Sequence, residues 1–174
     1  MVILISGASH TGKTMLAQKL MEKYNYPYLS IDHIKMGLIR SGLLNISVYD
    51  DEKITSEVWP VIKEIIKTVI ENKQSIIIEG CYIPPNYKED FNASNLSDIK
   101  YICLAFALDY IRLNYDKILA NGDIIEQRIK DDITMKELII DNDNYINDAI
   151  KYKNELFVIK ENYEKEIKSL IDKL

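Results

Sequence analysis

A chain of 174 residues, 47% hydrophobic and 28% charged, has the size and balance of one globular domain and can bury a core without metal or disulfide staples. Its net charge of −5 argues against non-specific binding to nucleic acid or to an anionic membrane, so neither is expected as a partner. The two cysteines, Cys81 and Cys103, form no CxxC pair, and two histidines supply no zinc-ligand spacing, so reduced, half-buried thiols are expected.

Met1–Ile5 shows no basic n-region or small-residue cleavage site, and no run approaches the roughly 18–20 apolar residues of a membrane span, so a cytoplasmic protein is expected. Val2–Ser6 reads as a buried parallel strand, Gly7–Gly12 as a loop, and Lys13–Tyr24 as a helix with Met15, Leu16, Leu20 and Met21 on one side. Tyr28–Ser30 predicts a short strand. Asp32 stands where it can cap a helix running through Ile34, Leu38 and Ile39 to a stop at Gly42. Asp51–Asn72 is helical, interrupted or restarted at Pro60. Ser75–Glu79 and Tyr101–Leu108 are apolar strands, the first followed by Gly80 and a Pro84-Pro85 turn. From Asp109 helical patterns dominate, broken at Asn121-Gly122-Asp123, and Leu156–Ile159 is a last strand before a helix ending near Leu174. Strands alternating with helices imply an α/β fold, a parallel sheet covered on both faces, in one domain over 1–174.

Gly7-Ala8-Ser9-His10-Thr11-Gly12-Lys13-Thr14 fits G-x-x-x-x-G-K-[ST] at every fixed position. Glycines let the backbone curl so that successive N–H groups point at phosphate oxygens, and the following helix adds its positive N-terminal end. Lys13 would reach the β- and γ-phosphates and the Thr14 hydroxyl would ligate Mg²⁺, so ATP and Mg²⁺ are the expected cofactors. Within the loop, His10 is a variable position, either exposed filler or a phosphate contact.

Ser75–Glu79 delivers one carboxylate to a strand's C-terminal end, where open α/β sheets collect ligands; Glu79 would ligate the metal or orient its water, or be a solvated acid. Asp32, after the second strand, is the candidate general base or substrate ligand, with helix capping as a compatible role. All but three of the 22 basic residues are lysine, so Arg40, Arg112 and Arg128 stand out as candidate phosphate forks, which lysine cannot copy. Arg40 is two turns beyond Asp32. Arg112 and Arg128 bracket a candidate lid over 112–128 that would bring them to the transferring group, although a solvated helix fits the same charges. Trp59 and Tyr82 are candidates for an acceptor pocket or for core packing.

With these motifs the chain resembles the P-loop small-molecule kinases, the grouping of nucleoside monophosphate, shikimate and gluconate kinases. Ser30-Ile31-Asp32-His33-Ile34-Lys35 and Ile78-Glu79-Gly80-Cys81-Tyr82-Ile83-Pro84-Pro85 are most similar to 2-phosphoglycerate kinase, with Lys35 where that family has arginine and Tyr82 where it has histidine. The resemblance covers roughly residues 1–85 and implies a three-layer P-loop fold with a five-stranded parallel sheet of order 2-3-1-4-5 and a short helical lid. It implies a kinase acting on a small hydroxylated or phosphorylated metabolite. The alternatives are an adenylate or nucleoside monophosphate kinase-like enzyme, and a nucleotide-binding regulatory protein or slow NTPase without a dedicated acceptor. No Asn-Lys-x-Asp guanine motif occurs, since Asn72-Lys73 continues with Gln74-Ser75.

Overall fold

The computed structural model describes residues 1–122 and 133–174. In chain order the elements are β1 (Val2–Gly7), α1 (Lys13–Tyr24), β2 (Tyr28–Ser30), α2 (Ile31–Arg40), α3 (Asp51–Glu71), β3 (Ile76–Glu79), a 3-10 turn (Tyr87–Asp90) and α4 (Ala93–Ser97). They continue with β4 (Ile99–Phe106), α5 (Leu108–Gly122), α6 (Met135–Lys151), β5 (Leu156–Ile159) and α7 (Tyr163–Lys173). The strands form one five-stranded sheet, order β2-β3-β1-β4-β5, and every pairing is parallel. The expected order 2-3-1-4-5 is the observed one.

Period-two alternation sorts β1 between two cores. Val2 and Leu4 join Ile78, Tyr101 and Cys103 on the face covered by Ile31 of α2 and by Ile54, Val58, Ile62 and Ile66 of α3. Ile3 and Ile5 join Ile77, Ile102 and Leu104 on the other face, under Leu16 and Leu20 of α1, Ile111 of α5 and Ile167 of α7. Both faces are apolar, so the strands read as continuous hydrophobic runs. Each fully buried Ile or Leu stabilises by about 1.5–3 kcal/mol. No helix among the described residues is long and apolar enough to cross a membrane.

Three local expectations change. Helix α3 runs unbroken through Pro60, because that residue faces solvent, where water can serve the carbonyl that its missing N–H leaves unpaired. Helix α1 buries Lys13, Leu16, Ala17 and Leu20, an i, i+3, i+4, i+7 stripe, and Met21, about 100° further round the helix, is exposed. Strand β4 covers Ile99–Phe106 instead of Tyr101–Leu108, with Leu108 opening α5.

The end of β4 is held from α6. Asn142, 1% exposed, accepts from the Phe106 N–H at 2.8 Å and donates from Nδ2 to the Phe106 carbonyl at 2.9 Å. A capping box sets the start of that helix: Glu137 N–H donates to Thr134 Oγ1 at 3.3 Å, and Thr134 N–H to Glu137 Oε2 at 2.8 Å. Asn142→Ala strands two buried backbone groups and is expected to lower unfolding free energy by about 2–4 kcal/mol, read from urea denaturation. A loss below about 0.5 kcal/mol would show that water replaces the amide.

Candidate functional site

All five strands point the same way, so their C-terminal ends share one edge. In the row β2-β3-β1, Ser30 pairs with Glu79 and Glu79 with Ile5. Neighbouring strands are about 4.8 Å apart, so Asp32, Glu79 and the loop after β1 are gathered within about 10 Å of sheet edge. Two shallow apolar grooves of about 450 and 560 Å³ lie elsewhere, at the N-terminal end of β3 and along the outer face of α3.

The loop takes the backbone shape that its sequence demands. Gly7 has φ +142°, and a Cβ there would stand 2.2 Å from the Leu104 carbonyl oxygen of β4. Gly12 has φ +82°, and a Cβ there would stand 1.8 Å from the Tyr163 hydroxyl. Only glycine fits either place. His10 adds a third left-handed residue, φ 63°, so positive-φ residues punctuate the curl, the kind of backbone from which anion-binding nests are made. Thr11 Oγ1 and Lys13 Nζ both donate to the Ala8 carbonyl at 2.8 Å, bracing the loop across its width. Lys13 is 6% exposed and is the first residue of α1, with Thr14 beside it at the positive helix end.

One loop N–H already meets an anion. Ser9 N–H donates to Asp141 Oδ2 of α6 at 3.2 Å, so the loop accepts a negatively charged oxygen, as a phosphate site must. Glu79 is buried at the end of β3. Among the described residues no cluster of three or more His, Cys, Asp or Glu could cage a metal. Thr14 at the start of α1 and Glu79 at the end of β3 are oxygen donors of the kind that could hold Mg²⁺, an ion that keeps waters and takes one or two protein ligands.

On the β2–β3 side the structure assembles a polar chain. Lys35, its side chain 10% exposed, donates to Asp32 Oδ1, and its Nζ also meets the Tyr82 hydroxyl at 2.9 Å. That hydroxyl donates to Asp51 Oδ1 at 3.3 Å. Burial, with the charges of Asp32 and Asp51, raises the Tyr82 pKa far above its ordinary value, so the phenol stays protonated. Asp32 therefore does not cap α2: Ser30 occupies that position without a side-chain cap bond, and Asp32 sits in the first turn, 33% exposed, bound to Lys35.

No protein-family model matches the sequence, and no curated protein matches it. Solved structures do. A sugar kinase from Janibacter sp. HTCC2649 superposes with TM-score 0.57 at 12% identity, over 98% of this chain and 92% of that one. Shikimate kinase from Aquifex aeolicus gives 0.56 at 19% identity, over 98% and 94%. Deoxyadenosine kinase from M. mycoides gives 0.57 at 14%, over 99% and 98%. The chain shares the fold of these structures, a five-stranded parallel sheet of order 2-3-1-4-5 with helices on both faces.

Within this fold, Lys13, Thr14, Asp32, Glu79 and Tyr82 share the loop edge of the sheet. Arg40 does not join them: it is exposed at the far end of α2, eight residues and about 12 Å along the axis from Asp32. Arg112 projects from α5 with its side chain 59% exposed and lies 3.8 Å from Asp109 of the same helix. Arg128 and most of the Asn121-Gly122-Asp123 to Arg128 part of the candidate lid fall outside the described residues, whereas α5 continues through Gly122. Trp59 belongs to the core and donates Nε1–H to Asp90 at 2.7 Å.

Lys35, Asp51 and Asp141 were not singled out by the sequence. Lys35 alone had a signal, since it replaces the arginine of the resembled Asp-x-Ile-Arg motif. Burial raises the Asp141 pKa, although the Ser9 N–H and Lys13 pull the other way. A carboxyl with a raised folded pKa contributes no deficit below its unfolded value, and a growing one as pH rises through the folded value. Asp141→Asn keeps an acceptor for Ser9 and removes the anion. The variant should be more stable than wild type at neutral pH, with the gain gone below about pH 4, and should bind nucleotide roughly three- to tenfold tighter. Thermal melts across pH and calorimetry read both; equal nucleotide affinity would show that Asp141 does not oppose phosphate.

Proposed function

We propose that this protein is an ATP-dependent, Mg²⁺-requiring kinase that phosphorylates a hydroxyl group of a small molecule. The observation behind this reading is the placement of a second polar site, Asp32–Lys35–Tyr82–Asp51, on the same sheet edge as the nucleotide loop. A regulatory nucleotide binder or slow NTPase has no need of such a site.

Mg-ATP, when bound, supplies an electrophilic γ-phosphoryl group with ADP as its leaving group, so that an acceptor O–H bond gives way to an O–P bond. Loop N–H groups between Gly7 and Thr14 would hold the phosphates, Lys13 would offset their charge, and Thr14 and Glu79 would hold the metal or its water. Asp32 receives the acceptor proton. Lys35 engages its Oδ1, which leaves Oδ2 for that task and fixes the carboxylate plane. Tyr82 borders the acceptor. Arg128 enters from the sequence alone, as a fork for the transferring group, with Arg112 as its partner across the lid over 112–128. Arg40, at the distant end of α2, is kept only as an outer substrate contact. Two free thiols, with Cys103 pushed by burial up to about 12, suit the reducing cytoplasm.

The deciding experiment is ADP release with ATP and Mg²⁺ against nucleosides, nucleoside monophosphates, sugars, sugar acids and amino alcohols. Acceptor-dependent ADP release together with a phosphorylated product supports a kinase. Nucleotide binding with only acceptor-independent hydrolysis supports the slow NTPase.

A further inference from the structure

We infer that the phosphoryl acceptor is an alcohol without negative charge, either uncharged and hydroxyl-rich or bearing an ammonium group. The inference rests on the kinase reading and concerns the same site. Among the described residues Lys35 is the buried cation on the acceptor side, and its ammonium is already engaged by Asp32 Oδ1 and, at 2.9 Å, by the Tyr82 hydroxyl. That hydroxyl turns its own proton to Asp51 Oδ1 at 3.3 Å. The cluster therefore holds two carboxylates against one ammonium. Asp141, which binds Ser9 of the loop and is within electrostatic reach of Asp51, adds a third carboxylate toward the loop.

An anionic acceptor needs forked donors to offset its charge, and arginine is the side chain that provides them. Among the described residues both arginines are exposed away from this cluster, Arg40 at the far end of α2 and Arg112 beside Asp109. A phosphate or carboxylate placed beside Asp32 and Asp51 would meet like charge, which opposes its binding. A hydroxyl or ammonium finds acceptors there, because among the described residues Lys35 donates to Oδ1 of Asp32 and Tyr82 to Oδ1 of Asp51. Ser30 Oγ, at the end of β2 and two residues before Asp32, is fully buried and has no hydrogen-bond partner among the described residues.

The test uses the full chain and matched acceptors: glucose and glucosamine against gluconate, a nucleoside against its 5′-monophosphate, and ethanolamine against glycerate. At least one uncharged or ammonium member should be phosphorylated with kcat/KM about tenfold or more above its anionic counterpart. Asp51→Asn should narrow that gap by at least about threefold while calorimetric ATP affinity stays within twofold. Equal or better turnover of an anionic member overturns this inference and leaves the kinase reading standing. If ATP binds and no alcohol of any charge is phosphorylated, the kinase reading falls and this inference with it.

Discussion

Lys13→Ala is expected to lower phosphotransfer by a factor on the order of 10²–10³ or more and to weaken nucleotide binding, the scale for losing one preorganised charge-stabilising donor. The ammonium is held inside the loop, 2.8 Å from the Ala8 carbonyl, at the first residue of α1, where helix end and loop N–H groups act in the same direction. Because Lys13 is 6% exposed, its methylene stem also fills space, and alanine removes both stem and charge. Lys13→Met separates the two: the stem is kept, so thermal stability should stay near wild type while affinity and turnover fall as in the alanine variant. Calorimetric nucleotide binding and steady-state rates are the measurements. Normal binding and turnover in Lys13→Met would remove this loop from the nucleotide site.

Asp32→Asn should leave ATP affinity near wild type and reduce turnover of the acceptor by a factor on the order of 10²–10⁴, the range for a lost general base. The amide oxygen can still accept from Lys35, so the helix start and the Lys35–Tyr82–Asp51 chain should persist. The expected signature is a collapse in kcat with the melting temperature nearly unchanged. If turnover survives within about twofold, Asp32 only anchors Lys35, and the proton leaves by another route.

These two candidates could be picked out from the sequence for related reasons. A phosphate loop is made by one short stretch of backbone, so its glycines, lysine and threonine must stand at set spacings, and the strand before and helix after are contiguous with it. Asp32 and Glu79 stood out as candidates because Glu79 ends one strand and Asp32 follows another, and parallel strands bring their C-terminal ends to one edge. Unbroken apolar runs likewise announced a sheet buried on both faces, and the bounds of α1, β2 and β5 could be read from hydrophobicity and breakers alone.

What only the tertiary structure decided is which distant side chains meet. Lys35 reaches Tyr82 across 47 residues, Asn142 reaches Phe106 across 36, and Ser9 reaches Asp141 across 132. No local pattern encodes such distances, because a one-residue change in helix phase turns a side chain by about 100° and carries it out of reach. The same geometry placed Arg40 at the wrong end of α2, left Arg112 on the exposed side of α5, and bound Asp32 to Lys35 instead of to a helix cap. Motif spacing is a property of contiguous backbone and survives in a single sequence. The charge of the cluster around Asp32, Lys35, Tyr82, Asp51 and Asp141 is a property of packing, and it emerged only when α2, α3, α6 and the segment after β3 were brought against one another.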